Sequence, residues 1–409
     1  MRTPSLLRDT LVLILGGGQG ERLYPLTRDR AKPAVPFGGL YRIIDFTLSN
    51  CVNSGLRRIY VLTQYRSHSL QRHLRLAWNL FQEEIGECVV CLPPQQRMGD
   101  HWYLGTADAI YQNIYTLQQE RPTRVLVLSG DHVYKMNYEK LIRFHDRKGA
   151  EATVACARTP LQEGKRFGIL SANDDRRITR FEEKPPEPEA MPDDPNSCLA
   201  SMGIYVFETK ALVQVVSEDA RRDTTHDFGR DILPRMIETH SVYAGCFDDM
   251  SPRDNYWRDI GTVDAYWQAN MDLLGARPAF PLYDQAWPIR SYHTQRPPAR
   301  SCGAAEVHDS FVSGGATVDR ARVERSVLGP GVRLERGAEV IESIVFDDVA
   351  IGRDVSLRRA IIDKNNILPP KAAVGMDAEQ DRRRFSVTSG GIVVIPKEVP
   401  GTEGFWLGG

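Results

Sequence analysis

An excess of charge of either sign is missing from this sequence of 409 residues, in which 52 lysines and arginines face 53 aspartates and glutamates. No overall field therefore favours nucleic acid or an anionic membrane, and any anion site must be built locally. Long hydrophobic runs are missing as well, since none approaches the roughly 18 residues of a membrane-spanning helix. The first ten residues lack the apolar core of a secretory signal. We expect neither nucleic acid nor a membrane as a partner.

Cysteine is scarce, with seven residues scattered along the chain. Cys88 and Cys91 form a CxxC pattern, but neither a second pair nor histidines at ligand spacing follow, which argues against a zinc site. A redox role for this pair stays open, although two small apolar residues at a strand edge are the favoured interpretation. The odd number of cysteines and their scatter predict reduced thiols in a cytoplasmic protein.

A strand-like run followed by glycines and cations dominates the N-terminal region. Residues 11–15 are all aliphatic, which is typical of a strand buried on both faces. Four glycines and four cations come next, namely Gly16, Gly17, Gly18, Gly20, Arg22, Arg28, Arg30 and Lys32. Glycine lets backbone N–H groups approach a phosphate, and cations neutralise its charge. The pattern predicts a site for an anionic, phosphorylated ligand.

The glycine segment GGGQGER matches neither of the two common phosphate-binding patterns. Glu21 stands where GxGxxG needs its last glycine, and no Gly-Lys pair follows as GxxxxGK[ST] requires. A dinucleotide site and a Walker loop are therefore not supported. A phosphate loop of another type is favoured over a plain strand-to-helix turn, because cations follow so closely.

Short apolar runs alternate with segments of helical periodicity through residues 11–150. The predicted strands are 11–15, 58–63, 88–92 and 124–129, and the predicted helical segments are 46–54, 68–81 and 106–119. This alternation predicts an α/β domain with a Rossmann-like, mostly parallel sheet. Ligands bind such sheets at the carboxyl ends of the strands, where the glycine segment and Asp131 both fall.

Small aliphatic residues recur every six positions in the last hundred residues. The runs are Val349, Val355, Ile361 and Ile367; Val332, Ala338 and Ile344; and Val312 and Val318. A sustained period of six predicts a parallel β-helix of hexapeptide coils, here left-handed, with about four coils. A series of ordinary short strands is the alternative. Stacked coils have broad faces that often make subunit contacts.

Three charged residues could complete an anion or metal site. Asp131 directly follows the strand at 124–129, where a carboxylate can hold Mg²⁺ together with substrate phosphate oxygens, although a lone aspartate there is more often a turn or cap residue. Asp259 offers a second carboxylate, but its sequence position does not establish proximity. Lys184, next to Glu183, is available to a ligand phosphate or belongs to a solvated charge cluster.

Eight segments together resemble the bacterial and plant glucose-1-phosphate adenylyltransferase family, also called ADP-glucose pyrophosphorylase. In chain order they are GGGQGERLYPLTRDRAKPAVPFGG, RIIDFTLSNCVNSG, WYLGTADAIYQN, LSGDHVYK, FEEKP, LASMGIYVF, HDFGRDILP and YWRDIGTVDAYWQAN. The glycine segment and the strand-end aspartate are shared with nucleotidyltransferases in general. RAKPAVPFGG, SNCVNSG and HDFGRD are closer to this family alone, and the resemblance spans nearly the whole chain.

The resemblance implies a reaction and a domain plan. ATP and α-D-glucose 1-phosphate would give ADP-glucose and diphosphate with Mg²⁺, in the committed step of glycogen biosynthesis. Residues 1–275 would form the nucleotidyltransferase domain, 276–306 a connector and 307–409 a β-helix for regulation and assembly. The family further implies a homotetramer controlled by metabolites.

The resemblance also assigns roles to individual residues. Catalytic and metal-binding roles fall on Arg22, Lys32, Asp131 and Asp259. Nucleotide contacts fall on Gly17, Gly18, Gly20, Tyr103 and Gly105, with adenine recognition at Gln95 and Gln96. Glucose 1-phosphate contacts fall on Tyr103, Gly168, Glu183, Lys184 and Ser201. Candidate effector ligands are Arg30, Arg42, Arg358 and Arg359.

One departure from the enteric members of the family bears on regulation. Asp29 stands where those enzymes carry a lysine that contacts fructose 1,6-bisphosphate, and Pro36 replaces a histidine nearby. An acidic side chain would repel a doubly phosphorylated activator. We therefore expect a preference for a monophosphate such as fructose 6-phosphate, or for a pyruvate-like anion.

Three alternatives stay open at this point. A sugar nucleotidyltransferase that uses UTP or dTTP would share the glycine segment and Asp131. A bifunctional uridylyl/acetyltransferase would need a catalytic histidine and a longer β-helix, and His308 is the only histidine after position 293. An inactive regulatory subunit would have lost the aspartate or the loop cation, and both are present.

Overall fold

The structure, a computed structural model, describes residues 6–95, 101–251 and 255–398. The strands of its N-terminal α/β part are β1 Thr10–Leu15, β2 Pro36–Phe37, β3 Tyr41–Arg42, β4 Arg58–Leu62, β5 Cys88–Leu92, β6 Arg124–Ser129, β7 His132–Tyr134, β8 Ala152–Pro160, β9 Gly168–Ala172, β10 Ile178–Glu183, β11 Ser197–Glu208, β12 Val242–Cys246 and β13 Trp257–Asp259. Its helices are α1 Ile43–Asn53, α2 His68–Ala77, α3 Thr106–Tyr111, α4 Ile114–Glu120, α5 Tyr138–Lys148, α6 Thr209–Asp219, α7 Leu233–Thr239 and α8 Val263–Met271. None of the helices in the described ranges combines the length and apolar character needed to span a bilayer.

One nine-stranded sheet carries this part of the molecule, with the order β10-β9-β11-β6-β1-β4-β5 and β8 and β12 added beside β11. β1 is parallel to both β4 and β6, whereas β11 runs antiparallel to β6. Buried apolar clusters cover both faces of the sheet. A strand buried on both sides needs a continuous apolar run, which β1 and β6 have. The predicted mostly parallel α/β sheet is confirmed.

One predicted helical segment differs from the structure. The helical segment predicted for 106–119 is two helices, α3 and α4, separated at Gln112 and Asn113. Both of these residues are buried, and Asn113 donates to the Tyr103 hydroxyl at 3.0 Å, so the polar side chains turn inward at the break. Cys88 and Cys91 are free thiols on β5, which is the edge strand of the sheet.

Parallel strands stack into a β-helix in the C-terminal part. They are β14 Arg300–Cys302, β15 Glu306–His308, β16 Phe311–Val312, β17 Thr317–Asp319, β18 Arg322–Glu324, β19 Val327–Leu328, β20 Arg333–Leu334, β21 Glu339–Ile341, β22 Ile344–Val345, β23 Ala350–Ile351, β24 Ser356–Arg358, β25 Ala360–Ile362, β26 Ile367–Leu368, β27 Ala373–Val374, β28 Ser386–Val387 and β29 Val393–Ile395, with α9 at Ala378–Arg384. They form three sheets whose successive strands are parallel except for β28. The predicted parallel β-helix is confirmed.

The six-residue period slips within this β-helix. Val349 and Val355 point into its interior, but at the next step of the run the inward residue is Ala360 rather than Ile361, and Ile367 is 66% exposed. The reason is that Ala350 pairs with Ile367 across one coil, a spacing of 17 residues rather than three full hexads. Ile361, the third member of the predicted run, therefore points outward.

A seam of apolar side chains joins the two parts of the molecule. Val327, Ile344 and Ile361 form a column on the outside of one β-helix sheet and pack in one cluster with Phe37 and Trp267 of the α/β part. The Trp267 indole also donates to the Glu342 carbonyl at 2.8 Å. Deep burial of this seam fixes the β-helix against the segment that follows the glycine loop.

Candidate active site

The glycine segment turns sharply between β1 and the first short helical turn, Glu21–Leu23. Gly16 donates to the Leu62 carbonyl at 2.8 Å, which anchors the loop at the end of β4. Gly20 adopts a positive φ of 68°, and a Cβ there would lie 3.0 Å from Thr27. Only glycine meets both conditions without strain, so the loop shape depends on it.

Asp131 lies at the same sheet edge as this loop, because Leu15 of β1 and Ser129 of β6 are paired in register. Lys32, the first residue of a helical turn at Lys32–Ala34, places its ammonium 2.6 Å from the Asp131 carboxylate. The Ser129 hydroxyl donates to the other carboxylate oxygen. Strand pairing and one lysine therefore fix the predicted acid beside the predicted loop.

A two-stranded antiparallel ribbon brings the second carboxylate to the same point. β13 pairs with β7 so that Asp259 is opposite His132, the neighbour of Asp131. The Lys32 ammonium is 3.6 Å from Asp259, and His132 Nε2 lies 3.5 Å from Asp131 and 3.7 Å from Asp259. The structure thus groups Asp131 and Asp259, whose proximity could not be read from spacing.

The electrostatics of this group favour an ionised acid. Burial by itself raises the pKa of Asp131, but the charges of Lys32 and His132 and the hydrogen bonds from Lys32 and Ser129 outweigh that effect. The net result holds the pKa of Asp131 well below its usual range. A carboxylate kept ionised in a partly buried site is suited to a cation.

Asp131, His132 and Asp259 together have the composition of a metal site. Ligand atoms of Asp131, His132 and Asp259 all lie within 4.8 Å of one another. Two carboxylates and adjoining open space suit a divalent ion that keeps some positions for water or phosphate oxygens. The residues fit the divalent metal that the sequence implies, with the carboxylates as its first ligands.

A cleft of about 620 Å³ opens between the glycine loop and α3. Its lining includes Gly17, Gly18, Tyr103 and Gly105 of the predicted nucleotide-binding set. Gly105 has no room for a side chain, because a Cβ there would clash with the backbone at Thr225. Two glycines of the loop and the turn before α3 thus face one another across a space wide enough for a nucleoside.

Of the two predicted adenine ligands, Gln95 is the one that lies among the described residues. Gln95 is exposed after β5 and donates to the Pro93 carbonyl at 2.9 Å. Gln96 lies outside the described residues. Gln64, which sequence reasoning missed, lines the cleft itself and is buried, with its amide 3.4 Å from the Tyr103 carbonyl.

A second cleft, of about 500 Å³, continues from the first along the other side of the loop. Gly18, Gly20, Arg22 and Lys32 line it together with Asp131. Backbone amides of a glycine loop and two cations thus surround one space together with the acids Glu21 and Asp131, and amides and cations of this kind are the groups that bind phosphate.

The third cleft, on the β11 side of Asp131, gathers the predicted sugar-phosphate ligands. Gly168, Glu183, Lys184 and Ser201 line it, and Asp131 and Asp259 close one end. Glu183 is 17% exposed and pairs with Lys184 at 2.7 Å. Both Gly168 and Gly229 pack directly on the Glu183 carboxylate, which fixes its position. Tyr103, predicted for the sugar as well, lies in the nucleotide cleft instead.

Several lining residues were missed by the sequence reasoning. His132, Tyr205, Asp227 and Trp257 all line the third cleft. The Trp257 indole N–H is buried and has no hydrogen-bond partner among the described residues, which leaves it as a donor for a ligand. Asp227 and Trp257 belong to the segments HDFGRD and YWRDIG, so the sequence showed their residue types but not that their side chains face the cleft.

The predicted effector ligands fall in two places. Arg30 is buried and forms two hydrogen bonds, of 3.0 and 2.9 Å, with Asp363 of the β-helix. Arg42 lies in the same seam. Burial is the main cause that lowers the pKa of Arg42; the nearby charge of Arg30 adds to this effect, and the charge of Asp347 opposes it. Lys364, which sequence reasoning missed, is 2.5 Å from Asp347. Arg42 and Lys364 thus both lie near the carboxylate of Asp347, between the two domains.

Arg358 and Arg359 lie at the end of β24 and just after it. Arg358 is exposed, and the Arg359 guanidinium lies 4.6 Å from the centre of the Trp267 ring and donates to the Gly390 carbonyl at 3.1 Å. Arg359 is thus engaged at the rim of the seam. His308, the candidate for an acetyltransferase base, is exposed on β15.

Comparison with known families divides the chain into the same two parts. Residues 11–275 match the family described as nucleotidyl transferase. Residues 297–395 match a GlmU-like C-terminal hexapeptide family.

Curated relatives match nearly the whole chain. A glucose-1-phosphate adenylyltransferase of Rhodopirellula baltica is 51% identical over 404 residues, covering 96% of this chain and 91% of the relative. Glucose-1-phosphate adenylyltransferase 2 of Vibrio cholerae is 46% identical and covers 96% and 98%. The glucose-1-phosphate adenylyltransferase of Koribacter versatilis is 47% identical and covers 95% and 96%.

Proposed function

The chain belongs to the glucose-1-phosphate adenylyltransferase family, and on that premise we propose how its three clefts divide the work. The reaction joins ATP and α-D-glucose 1-phosphate to form ADP-glucose and diphosphate. The observation that carries the proposal is that all three clefts meet at Asp131. One cleft takes the nucleoside, the second its β- and γ-phosphates, and the third the sugar phosphate.

The chemistry needs no nucleophile from the protein. A phosphate oxygen of glucose 1-phosphate attacks the α-phosphorus of ATP in line, and the bond to the diphosphate leaving group breaks. Both reactants are anions, so positioning and charge neutralisation dominate the barrier. Arg22 and Lys32 line the phosphate cleft and would bear on the charge that develops on the leaving diphosphate.

A divalent metal is required in this family, and we propose that it is Mg²⁺. Asp131 and Asp259 would hold it, because Asp131 lines both the phosphate cleft and the sugar-phosphate cleft and Asp259 lines the latter beside it. Bound there, it supplies charge neutralisation at the reacting phosphates and aligns them.

Lys184 and Glu183 would position glucose 1-phosphate. The Lys184 ammonium is 53% exposed, so it is able to turn from Glu183 to the phosphate of a ligand. Glu183, held by Gly168 and Gly229, is an acceptor for sugar hydroxyls, and the Trp257 indole N–H adds a donor. This pairing of one acceptor and one donor suits a neutral hexose ring.

Nucleotide choice tests the assignment directly. Diphosphate release is measured for ATP, UTP, dTTP and GTP, each with glucose 1-phosphate and Mg²⁺. We expect ATP to be used at least about 100-fold more efficiently than the others, because a site built to hydrogen-bond one base rejects the rest strongly. A preference for UTP or dTTP would assign the chain to another sugar nucleotidyltransferase.

We also propose regulation by an anion that binds in the seam, near Arg42 and Lys364. These cations share Asp347, with Asp45 also near Arg42, and a single phosphate or carboxylate would give them a further anionic partner. The acidic Asp29, which pairs with Arg28 at 2.9 Å, disfavours a second phosphate. Activation by fructose 6-phosphate or pyruvate, with a weaker response to fructose 1,6-bisphosphate, is the expected result. Lys364→Met should reduce that response while basal turnover persists.

Arg30, Arg358 and Arg359 remain proposed contributors to this regulation. Arg30 acts through its ion pair with Asp363 across the domains, and Arg359 through Trp267 at the rim of the seam. Loss of basal turnover together with activation in Arg30→Ala would mean that the loop and the seam form a single site.

The wider setting follows from the family. We propose a homotetramer, a role in glycogen synthesis and a cytoplasmic location, the last supported by seven cysteines that are all free thiols. Light scattering of the purified chain should give about four times its 46.1 kDa mass. A monomeric mass would overturn the proposed assembly.

A further inference from the structure

Lys32 occupies the space between the two carboxylates that a metal would bridge. Its ammonium is 2.6 Å from Asp131 Oδ2 and 3.6 Å from Asp259 Oδ1, and the side chain is only 11% exposed. Among the described residues it is the one primary amine that contacts both acids. Without such a cation, two carboxylates this close would repel each other strongly.

The stem of the same side chain runs beside the glycine loop. A Cβ on Gly20 would lie 3.3 Å from the Lys32 Cβ, so the stem starts next to the last glycine. Lys32 also lines the phosphate cleft together with Arg22. A flexible four-carbon stem that begins here reaches the carboxylates on one side and the phosphate cleft on the other.

We propose that Lys32 is a built-in substitute for the metal, and that metal binding and release of Lys32 toward the nucleotide phosphates are one coupled exchange. In the free enzyme the ammonium holds Asp131 and Asp259 together. When a divalent ion takes the carboxylates, the ammonium is displaced into the phosphate cleft. The inference rests on the proposed function, because it takes Asp131 and Asp259 as the metal ligands.

This exchange has a consequence for the free enzyme. The metal alone must compete with Lys32, so it binds weakly until phosphates offer the ammonium another partner. Lys32 is therefore a positioning residue for the metal as well as a ligand of the nucleotide. A lysine that served only the nucleotide would have no reason to lie between the two acids.

Binding of Mn²⁺ alone, measured by electron paramagnetic resonance without nucleotide, is the first test. We expect Lys32→Met to bind Mn²⁺ about ten-fold or more tightly than the parent chain, because each factor of ten is only about 1.4 kcal/mol. Lys32→Arg, which keeps a cation on the acids, should stay close to the parent. Arg22→Met removes a cation that lies near Asp259 without forming an ion pair with either acid, and it should raise the affinity clearly less than Lys32→Met does, because the interaction falls with distance.

Equal Mn²⁺ affinity in Lys32→Met and the parent would overturn the proposal. An equal gain in Lys32→Met and Arg22→Met would also overturn it, because the effect would then be general electrostatics. Absence of bound Mn²⁺ from Lys32→Met would do the same, since the carboxylates would be unblocked. Turnover of the parent with ATP and glucose 1-phosphate judges the proposed function separately.

Amine labelling of the unmodified chain gives a second, independent test. Brief acetylation with acetic anhydride, read by peptide mass spectrometry, should increase at Lys32 when Mn²⁺ is added without nucleotide. Lys148 forms a Lys–Asp pair of 2.5 Å with Asp175 away from the clefts and should not change. Unchanged or reduced labelling of Lys32 at saturating Mn²⁺ would contradict the exchange.

Discussion

The ion pair between Arg30 and Asp363 gives a prediction that separates a structural role from a regulatory one. The two side chains are 6% and 3% exposed, and two parallel hydrogen bonds join them. Arg30 also donates to the Leu26 carbonyl at 3.2 Å. Removal of one partner leaves the other charge buried and unpaired, which costs about 3–5 kcal/mol.

Arg30→Met and Asp363→Leu should therefore each lower the free energy of unfolding by about that amount, whereas the double variant Arg30→Met/Asp363→Leu should lose much less than the sum. Calorimetric unfolding of the four chains completes the cycle. Arg143→Met is the control, because the Arg143–Glu139 pair within α5 is exposed and worth at most about 1 kcal/mol.

Two results would refute this reasoning. If both single variants unfolded within about 0.5 kcal/mol of the parent, the pair would not hold the domains together. If the double variant lost the full sum, each residue would act through other contacts. The cycle gives the loss in the free energy of unfolding that Arg30→Met causes. With that loss measured, a loss of activation in the same variant can be attributed to the seam as a whole rather than to a missing effector ligand.

Three further variants test other parts of the account. Asp131→Asn should lower kcat by about 10²–10³-fold with the melting temperature nearly unchanged, and near-normal turnover would remove the metal assignment. Gly229→Ala places a methyl group against the Glu183 carboxylate, so KM for glucose 1-phosphate should rise while KM for ATP holds; an equal rise in both would contradict the separate sugar cleft. Ile361→Ala, in the seam, should lower the free energy of unfolding by about 2–5 kcal/mol. Ile367 belongs to the same six-residue run but is 66% exposed, so Ile367→Ala should lower it by less than about 0.5 kcal/mol. Similar losses in the two variants would mean that the coil period has been misassigned.

Much of the fold could be predicted from local pattern. Continuous aliphatic runs identified β1 and β6 closely, because a strand buried on both faces tolerates little else. The six-residue period identified the β-helix, but not where the phase shifts. Successive coils pair at spacings of 16 or 17 residues rather than 18, and the resulting shift moved Ile361 to the seam and Ile367 to the solvent.

The candidate site was predictable as far as strand order allowed. Asp131 follows a strand paired with β1, so its place beside the glycine loop follows from the parallel sheet. Asp259 could not be placed, because its position depends on the pairing of β13 with β7, a contact between distant segments. Lys364 could not be found either, because its neighbours in the seam appear only when the two domains pack.

Arg30 illustrates the limit of reading a charge from sequence. A cation close to a phosphate loop suggests a ligand, and nothing local indicates that Asp363, 333 positions later, faces it. Burial of the seam makes Arg30 an ion-pair partner, since a guanidinium removed from water needs a partner already in place.

Product analysis tests directly whether this chain catalyses the reaction alone. The purified chain is incubated with ATP, glucose 1-phosphate and Mg²⁺, and the products are resolved by ³¹P nuclear magnetic resonance beside Asp131→Asn. We expect ADP-glucose and diphosphate in equal amounts from the parent and almost none from the variant. No product from the parent, with or without the proposed effectors, would contradict it.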